Sequence, residues 1–166
     1  MKAFQIGKLA HSSKQVLLHD LLPKSHETMP AILQFYSNKS SHTIFAWGKN
    51  DKTQLGLNKT GNQVTPVEIV TLKNKSILAV HGGYDFSIAL DKHGHLYSFG
   101  SSGNGQCGHG DNKECGVPTL IKSLTLHKII QFAVGCYHVL ALTDQGQVYS
   151  WGYNDYGQVS SNNLIV

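Results

Sequence analysis

A short strand-like segment that ends in glycine recurs three times at a fixed interval, and this feature constrains the fold more than any other in the sequence. The copies are Ile44–Gly48, Leu96–Gly100 and Val148–Gly152, and successive copies begin 52 residues apart. Each copy joins aliphatic and aromatic residues to a closing glycine, which is typical of a strand that enters a turn. A chain with such an interval is built from tandem structural units.

The similarity between units extends over the whole interval. When residues 44–95 are aligned without a gap on residues 96–147, 11 of the 52 pairs are identical. Most identities fall on glycine, proline or apolar residues, where backbone geometry and core packing restrict the choice of residue. We therefore predict repeats at 44–95 and 96–147 and an incomplete repeat at 148–166. The predicted structural positions are the aligned glycines and the aromatic residues of the strand ends: Trp47, Gly48, Gly83, Phe99, Gly100, Gly135, Trp151 and Gly152.

Each complete unit contains four strand-like segments. They are predicted at 44–48, 66–71, 77–81 and 86–90 in the first unit, and at 96–100, 117–122, 129–135 and 139–143 in the second. The links between units, 91–94 and 143–146, place polar residues before glycine, as tight hairpin turns require. Four strands in each tandem unit predict an all-β fold, a partial β-propeller of about two and a half repeats.

Residues 1–43 do not follow the repeat. The apolar residues between Val16 and Leu22 are spaced as one face of a short helix that ends at Pro23. The apolar run at 31–37 and the polar spacer after it predict a strand hairpin, the degenerate remnant of a preceding repeat. We predict an N-terminal segment made of a short helix and this hairpin.

Composition narrows the class of protein. Only 14% of the residues are charged and 17 are glycine, which argues against a disordered or coiled-coil chain. The net charge of +4 is not concentrated in a run of Lys or Arg, which argues against nucleic acid as a partner. The three cysteines are odd in number and contain no C-x-x-C pair, so we expect reduced thiols in the cytoplasm or nucleus. No apolar segment is long enough to predict a signal peptide or a membrane span.

Motifs that suggest catalysis or cofactor binding are weak. The sequence at 103–108 spells G-x-G-x-x-G, but no helix pattern follows it, so it predicts a loop of the repeat and not a dinucleotide site. Cys107, His109 and Cys115 match no zinc-ligand spacing. Ser98 and its counterparts in other strand segments show no base beside them, and we predict that they pack between sheets. We expect no catalytic residue, no metal and no cofactor.

The second and third units carry a resemblance to a known family. Gly135, His138, the apolar run after it, Gly146 and the pair at 151–152 resemble in order and interval the repeat of the regulator of chromosome condensation family, the RCC1-like repeat. The resemblance covers residues 44–166. It implies a β-propeller, seven-bladed in the best-known members, whose loops bind protein partners.

His138 receives a structural interpretation. We predict that its ring is buried at a strand start and donates to a backbone carbonyl of a neighbouring blade, in preference to a catalytic role. Phe86 stands at the aligned position of the first repeat.

Length raises the question of ring closure. A propeller closes with about four to eight blades, so units of this size need roughly 200 to 400 residues, whereas the sequence has 166. We expect, in order of preference, a piece of a longer propeller, a ring completed by self-association, or an open arc capped by the N-terminal segment.

The loops after the aromatic–glycine pairs are the predicted binding surface, since loops on a rigid repeat scaffold vary freely. Tyr153 and Tyr156 are the strongest candidates because aromatic residues supply much of an interface's energy. The alternative for these two tyrosines is packing on the neighbouring blade. The full set of predicted partner-binding residues is Lys49, Asn50, Asp51, Lys52, Asn104, Tyr153, Asn154, Asp155 and Tyr156.

We therefore predict a non-enzymatic scaffold module that binds a protein partner through its loops. The resemblance also implies an alternative, guanine-nucleotide exchange on a small GTPase, which family members perform with loops that include a wedge-like insertion. The two units align without a gap, so neither contains such an insertion.

Overall fold

A computed structural model describes residues 43–159 and the backbone of residues 32–35. The described elements are ten strands and two short 3₁₀ turns. The strands are β1 (Ile32–Phe35), β2 (Ile44–Gly48), β3 (Gln63–Glu68), β4 (Ile77–Gly82), β5 (Phe86–Asp91), β6 (Leu96–Gly100), β7 (Cys115–Leu120), β8 (Ile129–Val134), β9 (His138–Thr143) and β10 (Val148–Gly152). The 3₁₀ turns are Val70–Leu72 and Lys122–Leu124. The predicted N-terminal helix lies outside the described residues. Within them, no helix combines the length and the apolar character needed to cross a membrane.

The strands form three antiparallel sheets, which confirms the predicted all-β, partial-propeller fold. Their orders are β1-β2-β3, β4-β5-β6-β7 and β8-β9-β10. The complete four-stranded sheet takes β4 and β5 from one 52-residue unit and β6 and β7 from the next. A blade is therefore offset by half a unit from the aligned repeat, because the tight turn after β5 joins strands of the same sheet.

Two apolar cores hold the sheets face to face. All six residues of β5 and all five of β6 are buried, because the four-stranded sheet has a neighbour on each side. One core lies toward the sheet of β2 and includes Leu55, Ile69 and Phe99. The other lies toward the sheet of β9 and includes Phe86 and Trp151. Each sheet thus buries the apolar surface of the next, as a repeat architecture requires.

The glycines that close β6 and β10 have a steric reason. Gly100 and Gly152 have φ angles of 111° and 100°, which residues with a side chain rarely adopt. A Cβ atom on Gly100 would lie 2.6 Å from the Asp85 carbonyl oxygen, and one on Gly152 would lie 2.3 Å from that of Tyr137. Glycine is therefore required at the end of these strands for two reasons: the positive φ angle, and the lack of room for a Cβ atom.

Phe99 and Trp151 occupy equivalent environments. Their side chains are 0% and 1% exposed, and each lies against a glycine of the preceding repeat's loop. A Cβ on Gly56 would lie 2.9 Å from the Phe99 ring, and one on Gly108 would lie 2.9 Å from Trp151 Nε1. The loops at 49–57 and 101–109 therefore pack against the next sheet.

Hydrogen bonds reinforce this contact between sheets. The Trp151 indole N–H donates to the Gln106 carbonyl at 2.9 Å, and the Ser87 hydroxyl donates to the Gln54 carbonyl at 2.8 Å. The Gln54 carbonyl belongs to the loop after β2, and the Gln106 carbonyl belongs to the loop after β6. The loop connections are thus part of the structural framework as well as part of the surface.

Candidate functional site: an aromatic face at the blade ends

Several loops meet at one end of the sheets. Phe86 pairs with Gly100 and His138 pairs with Gly152, so the turns before β5 and β9 lie beside the loops after β6 and β10. Backbone hydrogen bonds fix this arrangement. Ser101 N donates to the Asp85 carbonyl and Tyr153 N donates to the Tyr137 carbonyl, both at 2.9 Å. A third bond, from Tyr84 N to the Cys136 carbonyl at 2.9 Å, joins the two sheets.

Four tyrosines form a row across this end, which we call the tyrosine row: Tyr84, Tyr137, Tyr153 and Tyr156. Successive ring centroids lie 5.4, 6.4 and 6.0 Å apart, and the last two contacts are edge-on. The outer members, Tyr84 and Tyr156, are 63% and 87% exposed. The row therefore presents aromatic surface contributed by two sheets.

Charged residues border the tyrosine row. Lys49 Nζ lies 6.0 Å from the centroid of the Tyr84 ring and 3.2 Å from an Asp51 carboxylate oxygen. The hydrogen bond to Asp51 raises the pKa of Lys49. At the other end, a hydrogen bond to Asp155 raises the pKa of Tyr153. One end of the row thus carries the Lys49–Asp51 ion pair and the other the Asp155 carboxylate.

Burial and neighbouring charge keep the inner phenol protonated as well. Burial, followed by the negative charge of Asp85, raises the pKa of Tyr137. Tyrosine hydroxyls have an ordinary pKa of about 10 and are neutral at pH 7, so Tyr137 and Tyr153 can both donate and accept hydrogen bonds.

Most of the residues predicted to bind a partner lie at the surface of these loops. Lys49 and Asp51 come together at one end of the tyrosine row, and Tyr153 and Tyr156 at the other. Tyr153 is half-buried in contact with Tyr137 and Tyr156, so it packs and borders solvent at the same time. The exposed members of the predicted set are Lys49, Asp51, Lys52, Asn104, Asn154, Asp155 and Tyr156.

Asn50 requires a correction. Its side chain is 0% exposed, so it is not available to a partner. Its Oδ1 accepts from Leu55 N at 3.0 Å and its Nδ2 donates to the Lys59 carbonyl at 2.6 Å. In the next loops Ser102 Oγ accepts from Cys107 N, and Asn154 Oδ1 accepts from Val159 N. Asn50, Ser102 and Asn154 therefore stabilise their loops by accepting a hydrogen bond from a backbone N–H five residues later. This shared role explains why a polar residue recurs at this position.

His138 differs in detail from its prediction. Its ring is half-buried and lies against Gly135, where a Cβ would be 2.2 Å from the ring, as Phe86 lies against Gly83. The ring makes no hydrogen bond to any of the described residues, so the predicted bond to a neighbouring carbonyl is not found there. Packing against glycine is what His138 and Phe86 share.

Two side chains show chemistry that the sequence did not reveal. Ser98 Oγ lies 2.8 Å from His109 Nε2, a serine–histidine contact. However, Ser98 is 0% exposed and its hydroxyl donates to the Cys107 carbonyl at 2.7 Å, so it cannot meet a substrate. Among the described residues, no group of three or more His, Cys, Asp or Glu side chains is arranged to hold a metal ion.

The fold and this face together define a segment of a tandem-repeat β-propeller. The family model of the regulator of chromosome condensation (RCC1) repeat matches residues 41–90 and 93–142, and a second model of the same description matches residues 77–106 and 129–158. The chain belongs to the RCC1 repeat family, which confirms the resemblance stated above.

Similar proteins differ widely in size. The chain is 35% identical over 123 residues to the human E3 ubiquitin-protein ligase HERC2, covering 74% of the chain and 2% of that protein. It is 32% identical over 122 residues to the ultraviolet-B receptor UVR8 of Arabidopsis thaliana, covering 74% of the chain and 28% of the receptor. It is 30% identical over 174 residues to the mitochondrial RCC1 domain-containing protein RUG3 of the same plant, covering 95% and 38%. The chain therefore spans less than two fifths of each of these relatives.

Solved structures show the same fold. The chain matches human WBSCR16 with a TM-score of 0.63 at 25% identity, over 74% of the chain and 33% of that structure. It matches Prp20p of Saccharomyces cerevisiae with a TM-score of 0.68 at 23% identity, over 79% and 33%. The Prp20p structure was described together with its binding to Gsp1p and histones, which is a property of Prp20p.

Proposed function

We propose that this chain is a non-enzymatic RCC1-repeat module that binds a protein partner at the loop end of its blades. The tyrosine row is the observation that carries the proposal. Monomeric proteins leave single aromatic residues exposed, but a contiguous aromatic surface bordered by charge is typical of an interaction site. The three free cysteines among the described residues fit a reducing compartment, so we also infer the cytoplasm or the nucleus.

The row has the properties of an interface centre. Tyrosine supplies a large, rigid contact area at a small entropy cost and carries a hydroxyl for hydrogen bonds. Contacts between Tyr137 and its neighbours hold the inner rings in place before a partner arrives. A pre-ordered surface loses less entropy on binding, which favours affinity.

The charged residues at the two ends of the tyrosine row differ, so they favour one orientation of a bound partner. Lys49 at one end is already paired with Asp51, whereas the Asp155 carboxylate at the other end favours a basic side chain of the partner. Such rim charges act mainly on association rate and selectivity. A protein surface with an apolar centre and a basic group beside it is the partner that fits.

Site-specific photo-crosslinking tests this proposal while the partner is still unidentified. A photoreactive phenylalanine analogue replaces Tyr156 in one variant and Leu126 in a control, because Leu126 is 94% exposed in the link between β7 and β8. We expect a protein adduct at position 156 that is absent at position 126. Adducts of equal yield at both positions, or at 126 alone, would contradict the proposal.

The captured partner then allows a quantitative test. Tyr84→Ala and Tyr156→Ala should each weaken its binding by at least about tenfold, or ~1.4 kcal/mol, whereas Leu126→Ala should leave it unchanged. Small GTPases are the first partner class to examine in the same assay. Nucleotide release from a GTPase loaded with a fluorescent nucleotide separates the alternative function, exchange, from binding alone.

A further inference from the structure

The fold brings two cysteines together at the loop after β6. Cys107 in this loop is 0% exposed, and Cys115 opens β7 opposite Gly100. Cys107 Sγ lies 3.3 Å from the Ser101 carbonyl oxygen and 3.7 Å from that of Gly100. Cys115 Sγ lies 3.8 Å from the Lys113 carbonyl oxygen. Because Cys115 pairs with Gly100, whose carbonyl oxygen the Cys107 sulfur contacts, the two cysteines are neighbours, and neither is in a disulfide.

His109 completes the cluster. Because the Ser98 hydroxyl donates to the Cys107 carbonyl, the 2.8 Å contact between Ser98 Oγ and His109 Nε2 requires the histidine to donate. This bond fixes the orientation of the imidazole, which helps to lower the pKa of the Cys115 thiol. Cys115 is only partly buried, so small molecules in solution reach it whereas Cys107 is shielded.

The two sulfurs have opposite acidities. The hydrogen bond from Cys107 lowers the pKa of Cys115 to about 5; burial opposes this change and His109 adds to it. The same hydrogen bond, together with burial, raises the pKa of Cys107. The outer sulfur is also the accessible one, so Cys115 is the nucleophile and the buried Cys107 is the resolving thiol. A nucleophilic, accessible thiolate beside a resolving thiol is the arrangement found in oxidation-sensitive sites.

We propose that Cys115 and Cys107 form an oxidation site, in which Cys115 reacts with hydrogen peroxide and Cys107 resolves the product to an intrachain disulfide. In the first step the Cys115 thiolate attacks one peroxide oxygen, the O–O bond breaks, and the leaving hydroxide takes up a proton to become water. In the second step the Cys107 sulfur attacks the sulfenic acid sulfur, the S–O bond breaks, and the Cys107 proton leaves with hydroxide as water. Two thiols are oxidised and one peroxide is reduced to two water molecules.

The consequence lies in the packing between sheets. The disulfide would tie the loop at 101–109 to the start of β7. That loop supplies the Gln106 carbonyl for Trp151 and the Gly108 surface under its indole ring. Oxidation would therefore fix the contact between the second and third sheets, independently of whether a partner binds the tyrosine row.

The first experiment measures thiol reactivity against pH. The full chain carrying Cys136→Ser is treated with iodoacetamide, and modification of Cys115 is followed by mass spectrometry. In urea, an ordinary thiol with a pKa of ~8.5 should react about 75 times faster at about pH 8 than at about pH 6. In the folded chain the rise in the Cys115 rate between these values should be well under tenfold, because a thiol with a pKa lowered to about 5 is already largely ionised. An equally steep rise in the folded chain, or no reaction, overturns the proposal.

The second experiment uses hydrogen peroxide as the probe. One equivalent should give a Cys107–Cys115 cross-linked peptide in the folded chain, whereas Cys107→Ser should stop at a sulfenic acid on Cys115 that dimedone traps. Because Cys107→Ser affects a buried site, the fold of this variant is checked by circular dichroism. The cross-link in the wild-type chain is a readout that does not depend on the variant. Formation only of intermolecular disulfides, or oxidation of Cys136 ahead of Cys115 in the wild-type chain, refutes the site.

Discussion

The contact between Gly108 and Trp151 offers the sharpest test of how the sheets are held together. We compare Gly108→Ala with Gly105→Ala in the same loop. The two glycines have φ angles of 73° and 72°, so an alanine is strained equally by the backbone at both. They differ in surroundings, since a Cβ on Gly108 would lie 2.9 Å from Trp151 Nε1, whereas on Gly105 the nearest atom is 3.7 Å away, at Asn112 Oδ1.

The expected difference follows from these distances. At both sites the left-handed backbone costs an alanine roughly 1–2 kcal/mol, and reduced freedom of the unfolded chain offsets about 0.4–1 kcal/mol of it. At Gly108 the new methyl group must also push aside an indole ring that is 1% exposed and hydrogen-bonded to the Gln106 carbonyl. Overpacking of a buried site costs about 1–3 kcal/mol. We expect Gly108→Ala to lower the free energy of unfolding by this amount more than Gly105→Ala does.

Urea unfolding followed by tryptophan fluorescence measures both variants, and a double-mutant cycle identifies the cause. In a Trp151→Leu background the indole ring is gone, so the excess cost of Gly108→Ala should disappear. The coupling between the two changes should then equal the excess itself, about 1–3 kcal/mol. If Gly108→Ala and Gly105→Ala are equally destabilising, or the excess persists without Trp151, the loop does not hold the next sheet as we describe.

Two further predictions concern aligned or titratable positions. Ser98→Ala should cost about 1–3 kcal/mol because it removes the 2.7 Å bond to the buried Cys107 carbonyl. Ser150→Ala at the aligned position should not destabilise the chain, since Ser150 Oγ is buried without a hydrogen-bond partner among the described residues and its removal leaves no polar group unpaired; denaturant unfolding compares the two, and equal costs would contradict the reasoning. Burial would raise the pKa of Asp91, but hydrogen bonds from His95 lower it. The stability that Asp91 supplies is therefore complete above the unfolded carboxyl pKa of ~3.9 and is lost as pH falls through the lower folded value. Thermal unfolding from about pH 2 to about pH 6 should show a flatter acid limb for Asp91→Asn, and an unchanged limb would refute this assignment.

The strands could be predicted because the repeat encodes its constraints locally. The segments at 44–48 and 96–100 coincide with β2 and β6, since an apolar run that stops at a left-handed glycine leaves little freedom for the strand end. The predicted strands at 66–71 and 117–122 are less accurate, because the structure has β3 and β7 beginning and ending earlier and followed by 3₁₀ turns. The chain leaves the sheet there to enter the next one, and no local residue type marks that exit.

The division of the chain into blades could not be read from the aligned units. A repeat in sequence has no intrinsic starting point, so an alignment begun at 44 is as self-consistent as one begun at 77. Hydrogen bonding decides the matter: Leu90 pairs with Leu96 across a tight turn, and Tyr97 of β6 pairs with Leu120 of β7. Only the pairing shows that the unit of packing runs from β4 to β7.

Two of the four tyrosines in the row could be predicted from the sequence, and there is a physical reason why the other two could not. Tyr153 and Tyr156 follow the aromatic–glycine pair, and their loop is recognisable as surface. Tyr84 and Tyr137 are not aligned with each other, since Tyr84 aligns with Cys136 and Tyr137 with Asp85. They meet because Tyr84 N donates to the Cys136 carbonyl of the next sheet, which places adjacent and not equivalent positions side by side. A comparison of repeats detects what each unit needs for its own fold, whereas a binding surface built between units depends on residues that differ from one unit to the next.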